Sequence, residues 1–343
     1  TEGKGCGGCF WQFLAIEDQL KFKEQHVRDA LQRIGGIEED VVLPIIGGET
    51  WFYRNKMEFS FSKTPDGILS LGLHLKRKHY DVVELTECFL LEPFVGELVE
   101  MVRNFFREYA GSATILRSFT VRVGKNSKQM MLILSAENEK PVFLPQFQEA
   151  ILAYCKQKNL PVHSVYFIKI INQKNRPKLF IEELLWGKPT IDEFLYMPDK
   201  KQLCFEISPS AFFQPNTRQA EKLYAKIMEA AALTGKEIVF DLYCGTGTIG
   251  LFCAANEGAK KVYGIELNPM AIENARRNAA RNNINNIEFF SGDVQKILPS
   301  IKEKPDVVLV DPPRCGLTPK VTEKIIDLRP KRLVYVSCNP AAL

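Results

Sequence analysis

Apolar positions along this chain follow two rhythms. Between residues 12 and 34, Phe13, Ile16, Leu20, Val27, Leu31 and Ile34 recur near the helical period and Gly35-Gly36 follows, which predicts a helix. From about 45 to 190 short strand-like stretches dominate, including 56–62, 69–74, 120–123 and 130–135, with a helix-like segment at 94–109. That mixture predicts an α+β module. After Phe213 the rhythm changes to strands alternating with helices: strand-like runs at 237–242, 261–265, 287–290, 306–310 and 332–337. Such alternation predicts an α/β unit with a doubly wound parallel sheet. No internal repeat or low-complexity segment interrupts either part.

Composition adds bounds. At 343 residues the chain has room for two domains, and 45% apolar with 25% charged residues is ordinary for a globular protein. No apolar run approaches the roughly 18–20 residues that span a bilayer, and no signal peptide opens the sequence. A cytoplasmic location without membrane partners is therefore expected. Nine cysteines, scattered and odd in number, argue against a disulfide framework. Cys155, Cys204 and Cys253 sit in apolar stretches, as small hydrophobes do. The net charge of +4 is weak, but basic residues cluster at Lys76-Arg77-Lys78, at 122–128 and at 169–178. Local patches of this kind are the usual nucleic-acid footprint, although solvated surface charge explains any single one equally well.

The strongest local signal is Asp241-Leu242-Tyr243-Cys244-Gly245-Thr246-Gly247-Thr248-Ile249-Gly250. Its glycines follow a strand and open a helix, so backbone can approach a ligand closely at a helix N-terminus. Glu266 ends the next strand and is suited to ribose hydroxyls; a nicotinamide dinucleotide site shares these features. Two details favour a methyl donor instead. Asp241 ends the strand with three residues before the first glycine, and Gly292-Asp293 follows the third strand. This spacing of three acids resembles class I S-adenosylmethionine sites.

Two further turns end apolar strands: Asp311-Pro312-Pro313-Arg314 and Ser337-Cys338-Asn339-Pro340. Ligands of open parallel sheets bind beyond the carboxyl ends of the strands, so an acid and a thiol are expected to meet at one edge. Arg314 stands where an aromatic residue would favour an exocyclic amine as target; its planar fork suits phosphate or a carbonyl edge. Cys315 and Cys338 are both candidate nucleophiles, and the Ser-Cys-Asn-Pro context favours Cys338.

Phe212-Phe213-Gln214-Pro215-Asn216, the 241–250 turn, Asp311-Pro312-Pro313-Arg314 and Ser337-Cys338-Asn339-Pro340, in that order, resemble the RNA uracil-C5 methyltransferase family. Cys6-Gly7-Gly8-Cys9, with Gln12, Gln19-Leu20, Lys23 and Arg33-Ile34-Gly35-Gly36, resembles its iron–sulfur branch acting on ribosomal RNA. The resemblance spans nearly the whole chain. It implies a class I methyltransferase unit at 212–343 and a smaller RNA-binding unit at 44–211. Residues 12–43 would form a helix packed on the catalytic unit, and 1–11 a cysteine segment of the central one. It further implies methyl transfer to uracil C5 through a Cys338 adduct at C6. Gln214, Tyr243, Gly245, Gly247, Glu266, Asp293 and Asp311 would hold S-adenosylmethionine; Thr248 stands where some relatives carry Asn. Phe212, Arg314, Arg54 and Lys56 would seat the base and RNA.

The family's proton-abstracting glutamate falls beyond Leu343, so a chain incomplete at its C-terminus is expected, lacking that base and the last sheet strands. The small RNA-binding β-barrel that often opens family members is likewise expected to be missing, since the sequence starts directly at the cysteine motif. By the same resemblance Cys6, Cys9 and Cys88 would be thiolate ligands of a [4Fe–4S] cluster whose fourth ligand precedes Thr1; zinc accepts the same ligand type. Ribosomal RNA is the expected partner ahead of transfer RNA, and a monomer the expected state. Two other readings remain at this point: a non-catalytic RNA-binding fragment and an NAD-dependent oxidoreductase.

Overall fold

A computed structural model describes residues 5–342 apart from 39–40, 65, 77–80, 110–114 and 175. Arg77 and Lys78 of the first basic cluster lie outside the described residues.

The first sheet has seven strands. These are β1 (Lys56–Lys63), β2 (Leu69–His74), β3 (Val82–Val83), β4 (Leu116–Val123), β5 (Met130–Glu137), β6 (Val162–Ile171) and β7 (Leu179–Gly187), in the order β3-β2-β1-β4-β5-β6-β7. Its pairs are antiparallel except β5–β6. That parallel pair is joined through α3 (Leu144–Gln157), because parallel neighbours need a crossover. With α2 (Val95–Tyr109), α3 covers one face, where Phe106 and Phe147 meet Phe119, Leu71 and Phe167 in a fully buried core. On the opposite face Met131, Ile133, Tyr166 and Ile168 pack under Ile191 and Ile207.

Those two isoleucines belong to a hairpin, β8 (Ile191–Tyr196) and β9 (Gln202–Ile207). Its other apolar side chains, Leu195, Met197, Leu203 and Phe205, join the core of the parallel-sheet unit. That core therefore draws in residues upstream of 212. Glu193 pins the hairpin from inside. Completely buried, it accepts backbone N–H groups of Lys125 (2.6 Å), Asn126 (3.0 Å) and Phe194 (3.0 Å), and the Thr217 hydroxyl (3.1 Å). A buried carboxylate persists when donors surround it in this way.

The second sheet is parallel, in the order β12-β11-β10-β13-β14. Its strands are β10 (Ile238–Leu242), β11 (Lys261–Glu266), β12 (Ile287–Ser291), β13 (Val307–Val310) and β14 (Arg332–Tyr335). The order reverses between β10 and β13, a switch point that opens a crevice at the carboxyl ends. Both faces are covered, which is why strands such as Val307-Val308-Leu309-Val310 are apolar throughout. On one face lie α4 (Thr217–Ala231), α5 (Thr248–Ala254) and α6 (Pro269–Arg281); on the other, α7 (Val294–Ile297) and α8 (Pro319–Leu328). This is the class I methyltransferase architecture.

Three details differ from the sequence reading. The helix expected from 12 begins later, as α1 (Ile16–Arg33), because the Gln19 side chain donates to the carbonyls of Trp11 (3.1 Å) and Leu14 (2.9 Å) and holds a turn ahead of it. No α1 residue is fully buried; the helix lies against the short 3-10 turn Pro340–Ala342. The strand expected to reach 337 ends at Tyr335, since after the Val336 N–H to Val310 carbonyl bond (2.8 Å) the backbone turns around Ser337. In the 122–128 cluster, Arg122 and Lys125 point inward, Lys125 onto Glu92 (2.9 Å), so that cluster offers less surface charge than its sequence suggests. Among the described residues no helix is long and apolar enough to cross a membrane.

Candidate active site

The glycine turn sits at the switch point. Tyr243, Gly245 and Gly247 all take left-handed backbone angles, with φ of 64°, 54° and 80°. A side chain at Gly247 would meet Phe289 Cζ at 2.8 Å, whereas nothing lies within 4 Å of the Cβ position of Gly245. One glycine is thus required by packing, and the other leaves open space above the turn. Glu266 ties the neighbouring strand end to it: its Oε2 accepts from Gly245 N–H (3.2 Å) and its Oε1 from Asn268 N–H (2.8 Å).

Asp241 is fully buried. Its Oδ2 accepts from Gly250 N–H at 2.8 Å, and its Oδ1 has no partner. Burial pushes its carboxyl up to about 7; the Gly250 N–H opposes this, and the charges of Asp311 and Glu266 add to it. Asp311, after β13, is pushed up to about 6 by burial. Tyr224 of α4 is buried nearby, its hydroxyl raised above the ordinary range by burial and by the charges of Asp311 and Asp241. Carboxylates thus gather at one strand edge with an orphaned oxygen among them. That electrostatic arrangement suits a cationic ligand such as a sulfonium cofactor better than an anionic dinucleotide. The orphaned oxygen of Asp241 and the burial of Tyr224 were invisible in the sequence; the strand-end position of Asp241 was the only available signal.

Asp293 caps α7, its Oδ1 accepting from Gln295 N–H at 2.7 Å, and its charge reaches the Tyr243 hydroxyl. Gln214 and Phe212 lie on the segment between the two sheets. Phe213 is turned inward against Phe205 (6.1 Å between ring centroids), Phe212 outward with 71% exposure. The buried Asn55 holds this segment, its Nδ2 donating to the Gln214 carbonyl (2.8 Å) and Thr217 Oγ1 (3.1 Å). Arg122 adds a bond from Nη2 to the Ala211 carbonyl (2.8 Å). Arg54 pairs by backbone with Asn216 and donates from Nε to the Lys56 carbonyl (2.8 Å); Lys56 is lowered by burial, then by Arg122. Beside Gln214 a cavity of about 410 Å³ opens along α4, lined by Ile46, Gln219 and Leu223 among others. It contains no other predicted cofactor residue.

Cys338 is exposed one turn beyond β14, in a loop closed by Asn339 N–H to Ser337 Oγ (3.1 Å) and Ala341 N–H to Asn339 Oδ1 (3.2 Å). Arg314 and Cys315 are also exposed, on the loop after β13. Both thiols are near enough to the Tyr335 hydroxyl to raise it, after burial, above its usual value. The acid-Pro-Pro turn and the Ser-Cys-Asn-Pro turn therefore stand side by side on adjacent strands β13 and β14.

Residues 158–343 match the model of the tRNA (Uracil-5-)-methyltransferase family. The chain belongs to this family. An uncharacterized RNA methyltransferase of Clostridium acetobutylicum is 38% identical over 360 residues, covering 99% of this chain and 74% of that protein. One from Protochlamydia amoebophila is 37% identical over 357 residues, covering 98% of this chain and 80% of its own length. Among solved structures, the tRNA (uracil-54, C5)-methyltransferase of Pyrococcus abyssi in complex with S-adenosyl-L-homocysteine matches with a TM-score of 0.73. It is 27% identical, and the match covers 98% of this chain and 77% of that one. As a member of the uracil-5-methyltransferase family the chain is an S-adenosylmethionine-dependent RNA methyltransferase. The carboxylate-rich edge and the family membership together set aside the nicotinamide reading.

Cys6, Cys9 and Cys88 come near one another: Cys9 is raised by burial and then by the charges of Cys88 and Cys6. Gly8 N–H points at Cys6 Sγ (3.4 Å), and backbone N–H groups of Leu90 and Leu91 point at Cys88, which burial raises. Such donors suit thiolate ligands. Among the described residues, however, no set of three or more His, Cys, Asp or Glu side chains closes around a metal position.

Proposed function

We propose that this chain methylates C5 of a uridine in structured RNA through a covalent bond between Cys338 and C6 of the base. The observation that carries the reading is the exposed Cys338 on its closed turn beside the acid-Pro-Pro turn and the cofactor crevice. Uracil C5 is a weak nucleophile. Addition of the Cys338 thiolate to C6 forms the S–C6 bond and pushes the electron pair onto C5 as an enolate, which then accepts the methyl group. Bound S-adenosylmethionine supplies that methyl as an electrophile on a sulfonium sulfur. Loss of the C5 proton to a base lets the S–C6 bond break and returns Cys338.

Asp241, Glu266 and Asp311 would balance the positive cofactor, with Gln214, Tyr243, Gly245, Gly247 and Asp293 shaping its crevice. Phe212 would stack on the target once it is flipped out of its helix, as base-modifying enzymes require. Arg314, Arg54 and Lys56 would hold phosphates and carbonyl edges, and the exposed Lys174, Arg176 and Lys178 would extend the grip.

Ribosomal RNA is the proposed substrate, supported by the cysteine pattern of the first residues; Cys6, Cys9 and Cys88 would supply three thiolates to an iron–sulfur cluster with an organising role. Transfer RNA is the second reading, favoured by the transfer RNA substrate of the Pyrococcus abyssi neighbour. Mass spectrometry of nucleosides after incubation with S-adenosylmethionine and either RNA tests both. 5-Methyluridine in the ribosomal transcript supports the proposal, and its appearance only in transfer RNA favours the second reading. Tight RNA binding with no methylated product in either would leave a binding fragment.

A further inference from the structure

Ahead of β1 the chain does something costly. Phe52 takes a left-handed backbone conformation, φ 53°, that non-glycine residues avoid. Three contacts hold it there. Phe52 N–H donates to the Phe89 carbonyl (2.7 Å), Arg54 N–H donates to the Leu90 carbonyl (2.8 Å), and the buried Lys125 ammonium donates to the Phe52 carbonyl while paired with Glu92. The result is not a buried ring. Trp51, Phe52 and Phe89 remain 48%, 37% and 41% exposed, with Phe89 edge-on to both others at centroid distances of 5.6 Å and 6.2 Å. A strained residue among exposed aromatic faces held in fixed positions motivates a functional reading of this surface.

We propose that Trp51, Phe52 and Phe89 form a stacking platform for unpaired bases of the substrate RNA, on the approach to the catalytic crevice. Single-stranded nucleic acid is held by aromatic faces next to cations, and Arg54 and Lys56 follow two and four residues after Phe52. The platform is joined to the base- and cofactor-binding segment: Arg54 pairs by backbone with Asn216, and Asn55 N–H donates to the Pro215 carbonyl at 2.8 Å. A base stacked there would lie beside the segment that carries Gln214 and Phe212. The occupant chosen is RNA because the family acts on RNA and because Arg54 and Lys56 stand beside the platform, where Lys125 pairs with the nearby Glu92; the exposed acids Glu49 and Glu87 lie at its outer side in sequence. The inference rests on the RNA reading of the crevice.

The test is titration of the full chain, bound to S-adenosylmethionine, with a hairpin RNA carrying a uridine-containing loop and with the blunt duplex of the same stem. Trp51→Ala and Phe89→Ala should each weaken loop RNA by between about 5-fold and 150-fold, the span that removal of one stacking ring produces. Duplex affinity and the slope of log K against log salt should stay put, since no phosphate contact is lost. Trp51→Tyr should restore most of the affinity, and cofactor affinity should be unchanged, which excludes simple misfolding. Unchanged loop affinity in both alanine variants would overturn the platform, pointing to a protein partner instead, even where wild-type chain methylates RNA. Equal loss on duplex, or no rescue by tyrosine, would also overturn it. Failure of the wild-type chain to bind either RNA would instead remove the RNA reading beneath it.

Discussion

The buried carboxylate of Asp241 allows a sharp test, because function and stability pull it in opposite directions. Without a ligand, its charged form sits in the core with one hydrogen bond and an orphaned oxygen. A rise from 3.8 to about 7 corresponds to about 4 kcal/mol against the ionised form. Because the folded value lies above the unfolded one, folding binds the proton more tightly. The stabilising contribution of the protonated acid is full below about pH 4 and is lost as pH rises through about 7. Asp241→Asn removes the charge and keeps an oxygen for Gly250 N–H, but buries an amide N–H pair at a cost of about 1–3 kcal/mol. The ligand-free variant should therefore gain about 1–3 kcal/mol at pH 8 and gain nothing at pH 5. Scanning calorimetry reads this as a rise of about 2 °C or more per kcal/mol in the parallel-sheet transition at pH 8 only. Cofactor affinity, measured calorimetrically, should fall at least tenfold. A variant no more stable than the wild type at pH 8, or equally stabilised at both pH values, would refute the account of a charge held in reserve for a cationic ligand.

Three other consequences are open to measurement. Binding of S-adenosylmethionine should release protons below neutrality and tighten as pH rises through about 6 and about 7, the raised values of Asp311 and Asp241; isothermal titrations in buffers of different ionisation heat read the proton count directly. Gly247→Ala forces a side chain into left-handed backbone against Phe289 and Ala275, so the thermal midpoint should drop by the equivalent of at least about 1–2 kcal/mol and cofactor binding should weaken. Asn55→Ala removes two side-chain bonds that help hold the Gln214–Thr217 segment to the seven-stranded sheet, leaving the backbone bonds to Pro215 and Asn216; a loss of about 1–3 kcal/mol and a raised KM for cofactor are expected in denaturation and steady-state assays.

The parallel sheet was legible because its strands are buried on both faces and alternate with helices, so runs such as Val307–Val310 stand out from their surroundings. The glycine turn was legible for a similar reason: the left-handed angles at Gly245 and Gly247 leave few residue types to choose from. Strand order in the seven-stranded sheet was not legible, since short strands of similar composition carry no mark of which neighbour they take. Nor was the direction of Arg122 and Lys125: a basic residue reads as surface until the Glu92 carboxylate or the Ala211 carbonyl is found opposite it. The hairpin β8–β9 hid its role too, because Leu195 and Phe205 serve the parallel-sheet core while Ile191 and Ile207 serve the other sheet. Asp241 shows the limit most clearly. Its place at a strand end was visible, but the orphaned oxygen that gives it meaning exists only in three dimensions.

The proposed chemistry is tested most directly by trapping with 5-fluorouridine-substituted RNA and S-adenosylmethionine. Fluorine at C5 cannot leave as a proton, so the methylated adduct has no route back to free thiol. A denaturation-resistant complex of protein and RNA, carrying one transferred methyl, formed by the wild type and by Cys315→Ala but not by Cys338→Ala, is the predicted result. An adduct that survives Cys338→Ala, or that disappears with Cys315→Ala instead, would contradict the assignment of Cys338 as nucleophile.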